Sequence, residues 1–302
     1  MNQHLMRIIY FFHIIFLLFF SLESCDIINP DETIPATITI DSFIVSSDIL
    51  TQGSNSSKIT DVWINIDGNL QGIYELPATF PVLETGDRAL IIRAGIKNNG
   101  IAASREIYEF YNWEEMDITL TSGENKHITP QISYKDNLNF MLIEDFEDPG
   151  LKFVTTEKSD TDLIHSNIDV FEGYRSGMIV LDSNHTFFEC KSYDSLFLPV
   201  NMTKVYVEMD YKSDLDLNYV GNNQFAVGIF ATTSTSVIQD PVIYLNETGG
   251  KWNKIYIDLT DFLNEYQTAL YFHLFIGANK EKSFPDAQIS IDNIKVITYQ
   301  DE

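Results

Sequence analysis

The chain has 302 residues, 44% of them hydrophobic and 13% aromatic, which is enough apolar side chain for packed cores in two ordinary domains and too much for a disordered chain. Its 44 acidic against 19 basic side chains give a formal charge of −25, which repels phosphate backbones and anionic head groups and argues against nucleic acid as a partner.

Residues 1–24, MNQHLMRIIYFFHIIFLLFFSLES, place Arg7 ahead of an apolar run from Ile8 to Phe20, then small and polar residues before Cys25. The run falls short of the ~20 residues a spanning helix needs and fits a secretory signal; a buried core helix is the competing reading. Leu22 to Cys25, LESC, resembles a bacterial lipobox, with Glu23 where a small residue is usual. That resemblance implies that Cys25 is acylated, becomes the new N-terminus and ties the chain to the outer membrane, with the cell surface as one destination. An ordinary cleaved signal with an incidental cysteine is the alternative. Residues 25–36 then read as a lipid-anchored tether, because DIINPDETIPA has two prolines, several acids and little apolar periodicity. Its acids also resemble the surface-export signals of lipoproteins in Bacteroidetes-like bacteria. With Cys25 acylated, Cys190 has no partner for an internal disulfide. Its setting, HTFFECKSY, suits a buried thiol and supplies no base for a nucleophile.

From Thr37 to about Tyr134 the pattern has period two: TITIDSFIV, DVWINIDG, RALIIRAGI and MDITLTSG each run five to eight residues between turn formers. Asp67-Gly68 between alternating runs is a hairpin signal, since its turn needs positive φ. Val62 to Ala94 resembles the PEGA-type surface domains in its Asp67-Gly68 turn, Pro77, Pro81 and Gly86-led strand. The resemblance implies an immunoglobulin-like sandwich over 37–136 that serves as a spacer or docking module. Within it, YEFYNWEEMD (Tyr108 to Asp117) is either a contact surface or core at a strand end.

Polar turn formers at Tyr134 to Asn139 mark a boundary, and a second domain is expected over 140–300. Its strands VYVEMDYKS, QFAVGIFATT, KIYIDLTDF, ALYFHLFIGA and QISIDNIKVI, with one helical or turn segment at DFLNEY, argue for an antiparallel jelly roll. The fold class expected for the whole is all-β, two sandwiches in series.

Three motifs, IEDFED, WNKIYIDLTDF and ISIDNIKVI, resemble galactose-binding-like jelly rolls, most closely the carbohydrate-binding modules of family eleven. The resemblance implies carbohydrate binding and a structural metal. First and last strands of such a sandwich pair, which brings the Asp145 to Glu147 end toward Asp292. Crowded carboxylates repel one another and suit Ca²⁺, so Asp145, Glu147 and Asp292 are the candidate calcium ligands. The competing reading is a solvated acidic corner with Phe146 as a buried anchor.

Strand parity sets the candidate ligand face. Val205, Val207 and Met209 are one side of a strand, with Tyr206, Glu208, Asp210 and Lys212 on the other; Leu270, Phe272, Leu274 and Ile276 are core, with Tyr271, His273 and Phe275 opposite. Tyr206, Glu208, Asp210, Tyr271 and His273 therefore form the candidate glycan contacts, rings for stacking on pyranose faces and charged groups for hydroxyls. An ordinary polar sheet face is the alternative. Glu208 and Asp210 lie ~6.7 Å apart by strand rise, near the spacing of an inverting glycosidase pair. Neither has an apolar neighbour set to raise its pKa, and the phosphate-loop, zinc-protease and nucleophile-elbow motifs are absent, so no enzyme is expected. Two functions remain: an envelope lipoprotein that binds carbohydrate through its jelly roll, or a structural or assembly lipoprotein that contacts other envelope proteins.

Overall fold

The computed structural model describes residues 4, 6–7, 9–13, 34–219 and 222–300. The lipobox, Cys25 and nearly all of the tether lie outside the described residues. No helix among the described residues is long and apolar enough to cross a membrane.

The first part of the chain contributes β1 (Ala36–Ile40), β2 (Ile44–Ser46), β3 (Asp61–Ile66), β4 (Asn69–Glu75), β5 (Ala78–Val82), β6 (Gly86–Lys97), β7 (Arg105–Ile107), β8 (Glu114–Leu120), β9 (Asn125–His127) and β10 (Gln131–Ser133). The second contributes β11 (Leu138–Glu144), β12 (Phe153–Thr155), β13 (Ile164–Ser166), β14 (Ser176–Leu181), β15 (Phe187–Ser192), β16 (Val205–Ser213), β17 (Gln224–Thr232), β18 (Val237–Tyr244), β19 (Asn253–Asp258), the short α1 (Thr260–Asn264), β20 (Tyr271–Asn279) and β21 (Ala287–Tyr299). The chain is all-β, as its period-two patterning requires. Asp67 and Gly68 take φ of 49° and 81° in the turn joining β3 to β4, the positive-φ pair that the Asp-Gly step predicts.

Two compact units emerge, and they do not divide at 134–139. The smaller comprises the described residues up to Thr39 with Thr79–Arg88 and Asp117–Ile128. It holds the sheet β5-β1-β9, in which β1 and β9 run parallel, and buries Ile38, Phe80 and Leu120. The larger comprises Ile40–Ala78, Ala89–Met116 and everything described from Thr129 onward. Much of the expected immunoglobulin-like domain therefore belongs to the same unit as the jelly roll.

Inside the larger unit a sandwich of two sheets carries the main core. One sheet runs β13-β14-β21-β16-β19 with β11 also on β21, and the other runs β12-β15-β20-β17-β18. Their inward residues, among them Val207, Met209, Ile229, Phe272, Leu274, Ile276 and Val296, form one cluster. Each comes from every second position of its strand, the rule for a face packed on a partner sheet. Cys190 lies in that cluster, fully buried, and burial pushes its thiol far above the ordinary range, so it is inert.

The outer face of the β16 sheet is covered. Tyr108, Phe110 and Tyr111 are buried with Tyr206, Tyr256 and Ile297, ring centroids lying 5.2 Å (Tyr108–Tyr206), 5.4 Å (Phe110–Tyr206) and 4.8 Å (Tyr108–Tyr256) apart. The aromatic segment is thus a contact surface turned inward, and of its rings only Trp113 is exposed.

Candidate functional site

The five candidate ligand residues separate into two groups on opposite sheets. Tyr206, Glu208 and Asp210 have the parity expected of them, but all three are within 1% of complete burial and face protein, not solvent. Glu208 accepts from the Tyr108 hydroxyl at 2.7 Å and from the Tyr134 hydroxyl at 2.9 Å, and it pairs with the Lys254 ammonium at 3.1 Å. Lys254 also lies 3.8 Å from Asp210, which accepts from Ser56 Oγ at 2.9 Å. Lys295 donates to the Ser54 carbonyl at 2.5 Å and to the Tyr134 hydroxyl at 3.1 Å. Burial alone raises the Glu208 carboxyl; Lys254, Lys295 and the two hydroxyls outweigh it and hold the group below its ordinary value. This is a buried network of ion pairs and hydrogen bonds that fastens residues 54–56, Tyr108 and Tyr134 onto the sheet. Tyr206, Glu208 and Asp210 are corrected accordingly: they do not meet a ligand, and the two carboxylates cannot flank a glycosidic bond.

The calcium candidates are likewise committed elsewhere. Asp145 Oδ1 accepts from the Glu147 amide at 3.1 Å, and Glu147 Oε1 accepts from the amides of Tyr174 and Arg175 at 2.7 and 2.9 Å. Asp292 takes the amides of Phe171 and Glu172 on one oxygen and that of Asn293 on the other. Glu144, fully buried, accepts from the amides of Phe146 and Lys152. Among the described residues no group of three acids, histidines or cysteines is gathered to hold a cation. Asp145, Glu147 and Asp292 therefore do not fit a calcium shell. The acids of MLIEDFEDPG are there because tight turns around Phe146, itself buried at φ 59°, present main-chain donors that need acceptors.

Tyr271 and His273 lie instead on β20, and the outer face of that sheet is open. A groove of about 500 Å³ runs over it, lined by Thr155, Lys158, Glu189, Lys191, Phe230, Tyr271 and His273. Register explains the assembly: His273 is opposite Phe230 and Tyr271 opposite Thr232 on β17, while Lys191 of β15 is opposite Phe275. Phe230 and Phe275 rings lie 5.1 Å apart, and Tyr271 meets His273 edge-on at 5.6 Å. Gly228 is required here, since a Cβ would stand 2.6 Å from the Phe275 ring. His273 Nδ1 lies 2.9 Å from the Ser192 carbonyl, which can only accept, so Nδ1 carries the proton and Nε2 is the ring's acceptor. Burial, then the charge of Lys191, lower its pKa and keep the imidazole neutral.

Glu189 is the organising residue that sequence reasoning missed. Nearly buried in the groove floor, it accepts from Thr156 Oγ1 at 2.8 Å and Gln239 Nε2 at 2.6 Å, and lies 3.7 Å from Lys158. The signal was present in FFECKS, where Phe188 and Cys190 face the core and Glu189 and Lys191 must face outward. A second hollow of about 170 Å³ shares Lys158 and Glu189 and extends the groove past Gln239 and Pro241 to Tyr244.

No protein-family model matches the chain, and no curated protein matches it. Similar solved structures include carbohydrate-binding modules. The xylan-binding domain CBM22-1 of Paenibacillus barcinonensis Xyn10C aligns over 54% of this chain and 97% of its own at 12% identity and a TM-score of 0.40. The family 11 module of Clostridium thermocellum, solved with a β-1,3-1,4-mixed-linked tetrasaccharide, aligns over 53% and 96% at 12% identity and 0.32. A structure of carbohydrate-binding modules from the β-sandwich superfamily aligns over 88% and 99% at 12% identity and 0.39.

Proposed function

We propose that the protein is a non-catalytic, lipid-anchored envelope protein that binds a glycan chain in the groove over β15, β20 and β17. One observation carries the reading: an open groove of about 500 Å³ whose floor combines Phe230, Tyr271 and His273 with Glu189, Lys191 and Thr155. Rings offer flat apolar faces to pyranose C–H groups, while donors and acceptors fixed by Glu189 meet hydroxyls without first having to be ordered. The openness of the groove suits a chain that passes through, and the lipid anchor expected at Cys25 would hold the groove at the outer membrane. The test is calorimetric titration of the full chain against a panel of soluble oligosaccharides. Tyr271→Ala should weaken the binding found by about 1–2 kcal/mol without moving the melting temperature, while Tyr206→Phe, on the covered face, should leave affinity intact. A blank panel, or equal loss from both variants, would return the chain to the assembly reading.

A further inference from the structure

A third cavity, of about 230 Å³, adjoins the groove's extension at Tyr244, which lines both. It is polar and contains Lys58, Lys97, Lys254 and Glu247. Lys254 is spoken for by Glu208 and Asp210 in the buried network. Lys58 and Lys97 are not so neutralised. Lys58 reaches Asn253 Oδ1, a neutral acceptor, and among the described residues Lys97 pairs with Glu75 at 3.7 Å, whose carboxylate side chain is 60% exposed and therefore weakly held. Burial, and after it the repulsion of Lys97, lower the pKa of Lys58, so two like charges converge on one hollow.

The charge of this path runs against the rest of the molecule. With the paired Lys254 left out, four lysines face three glutamates and no aspartate across the groove, its extension and the third cavity, whereas the whole chain carries 44 acids against 19 bases. Strand β18 joins the pieces. Val237 lines the groove, Gln239 and Pro241 the extension, and Tyr244 the junction with the lysine cavity. Those eight residues span ~23 Å by strand rise, room for an oligosaccharide and not for a single sugar. Being last in its sheet, β18 leaves the path unbounded on that side by a further strand of the sheet.

We propose that the glycan is acidic, a uronate-bearing chain that lies along β18 with a carboxylate held between Lys58 and Lys97. This rests on the reading of the groove as a glycan site and adds the class of sugar to it. Charge-assisted bonds from two ammonium groups would supply the preference.

The experiment uses the full chain and hexamers of galacturonate, glucuronate and mannuronate, each as the free acid and as its methyl ester, which keeps the backbone and removes the charge. At low salt at least one acid should bind about tenfold tighter than its ester, and the margin should shrink as salt rises. Lys58→Gln with Lys97→Gln should bring acid affinity down to that of the ester and leave the ester unchanged; Tyr271→Ala should weaken both. Equal affinity for acid and ester, or an acid preference that survives the double lysine change, overturns the inference while leaving the groove a neutral-glycan site. Binding of no glycan in any form overturns both readings. Free monomeric uronate competing as well as the hexamer would show a small-anion site with no path along β18, and would also overturn it.

Discussion

Glu208 is the residue on which the covered face of the sandwich turns. Changing it to alanine takes the acceptor from the Tyr108 and Tyr134 hydroxyls and leaves Lys254, 3% exposed at its side chain, with only Asp210 at 3.8 Å. Lys295 also loses the carboxylate that offsets its burial. Breaking a buried ion pair from one side costs roughly 3–5 kcal/mol, and the stranded hydroxyls place this case toward the upper end, with the contributions not simply additive. That is a large share of an ordinary stability of about 5–15 kcal/mol. With a urea m-value of about 3 kcal/mol per molar, the unfolding midpoint should fall by more than about 1 M. Glu208→Gln, which keeps the shape and an oxygen acceptor but not the charge, should fall between alanine and wild type. Equilibrium urea unfolding followed by tyrosine fluorescence and by circular dichroism reads both. An exposed strand carboxylate would move stability by no more than about 0.5 kcal/mol. A Glu208→Ala midpoint that close to wild type would refute the network as what fastens residues 54–56, Tyr108 and Tyr134 to the sheet.

Four further outcomes follow from groups already described. Burial holds Lys295 at about 8 in the folded protein against an ordinary 10.5, so between those values the unfolded chain carries more protons and stability should rise with pH; Lys295→Met should flatten that limb, and a flat wild-type profile would contradict it. Above pH ~10 the slope should reverse, because burial keeps Tyr108 and Tyr134 protonated in the fold while unfolded tyrosines ionise. Glycan affinity should hold steady at neutral pH and decline in acid as His273, whose pKa burial and Lys191 lower, gains a proton on Nε2 and ceases to accept; His273→Gln should be pH-independent there, and a parallel decline in that variant would place the titrating group elsewhere. The melting temperature should be the same in chelator and in millimolar calcium, because among the described residues no three acids are gathered around one point; a rise with calcium would show that Asp145, Glu147 and Asp292 can be drawn together on a cation.

Strand alternation is local, and what depends on it was legible in the sequence. Val207 and Met209 inward with Glu208 and Asp210 opposite, Phe272 and Leu274 inward with Tyr271 and His273 opposite, and the Asp67-Gly68 hairpin all follow from neighbouring residues alone. What lies over an outward face is set by distant chain. Tyr108 reaches Glu208 across 100 positions and Ser56 reaches Asp210 across 154, and no short-range pattern announces either. The same distance hid the domain division, since segments on both sides of the expected boundary contribute to one unit.

Composition also failed to separate the two faces, for a physical reason. A tyrosine, two acids and a lysine are what an amphipathic surface needs whether it meets a sugar or an aromatic loop. Cross-strand charge is the better discriminator. Glu208 stands opposite Lys295 on β21, and Asp210 opposite Lys254 on β19, so each acid of β16 has a base on an adjacent strand. Those lysines are visible in IDNIKVI and WNKIYID at the matching parity. A face whose charges cancel within the sheet can be buried at modest cost once hydroxyls complete its hydrogen bonds. The β20 face differs on this point, since Tyr271 and His273 face Thr232 and Phe230 and no opposite charge. Rings that line an open groove with no cross-strand charge pairing of their own mark the face proposed here for the glycan.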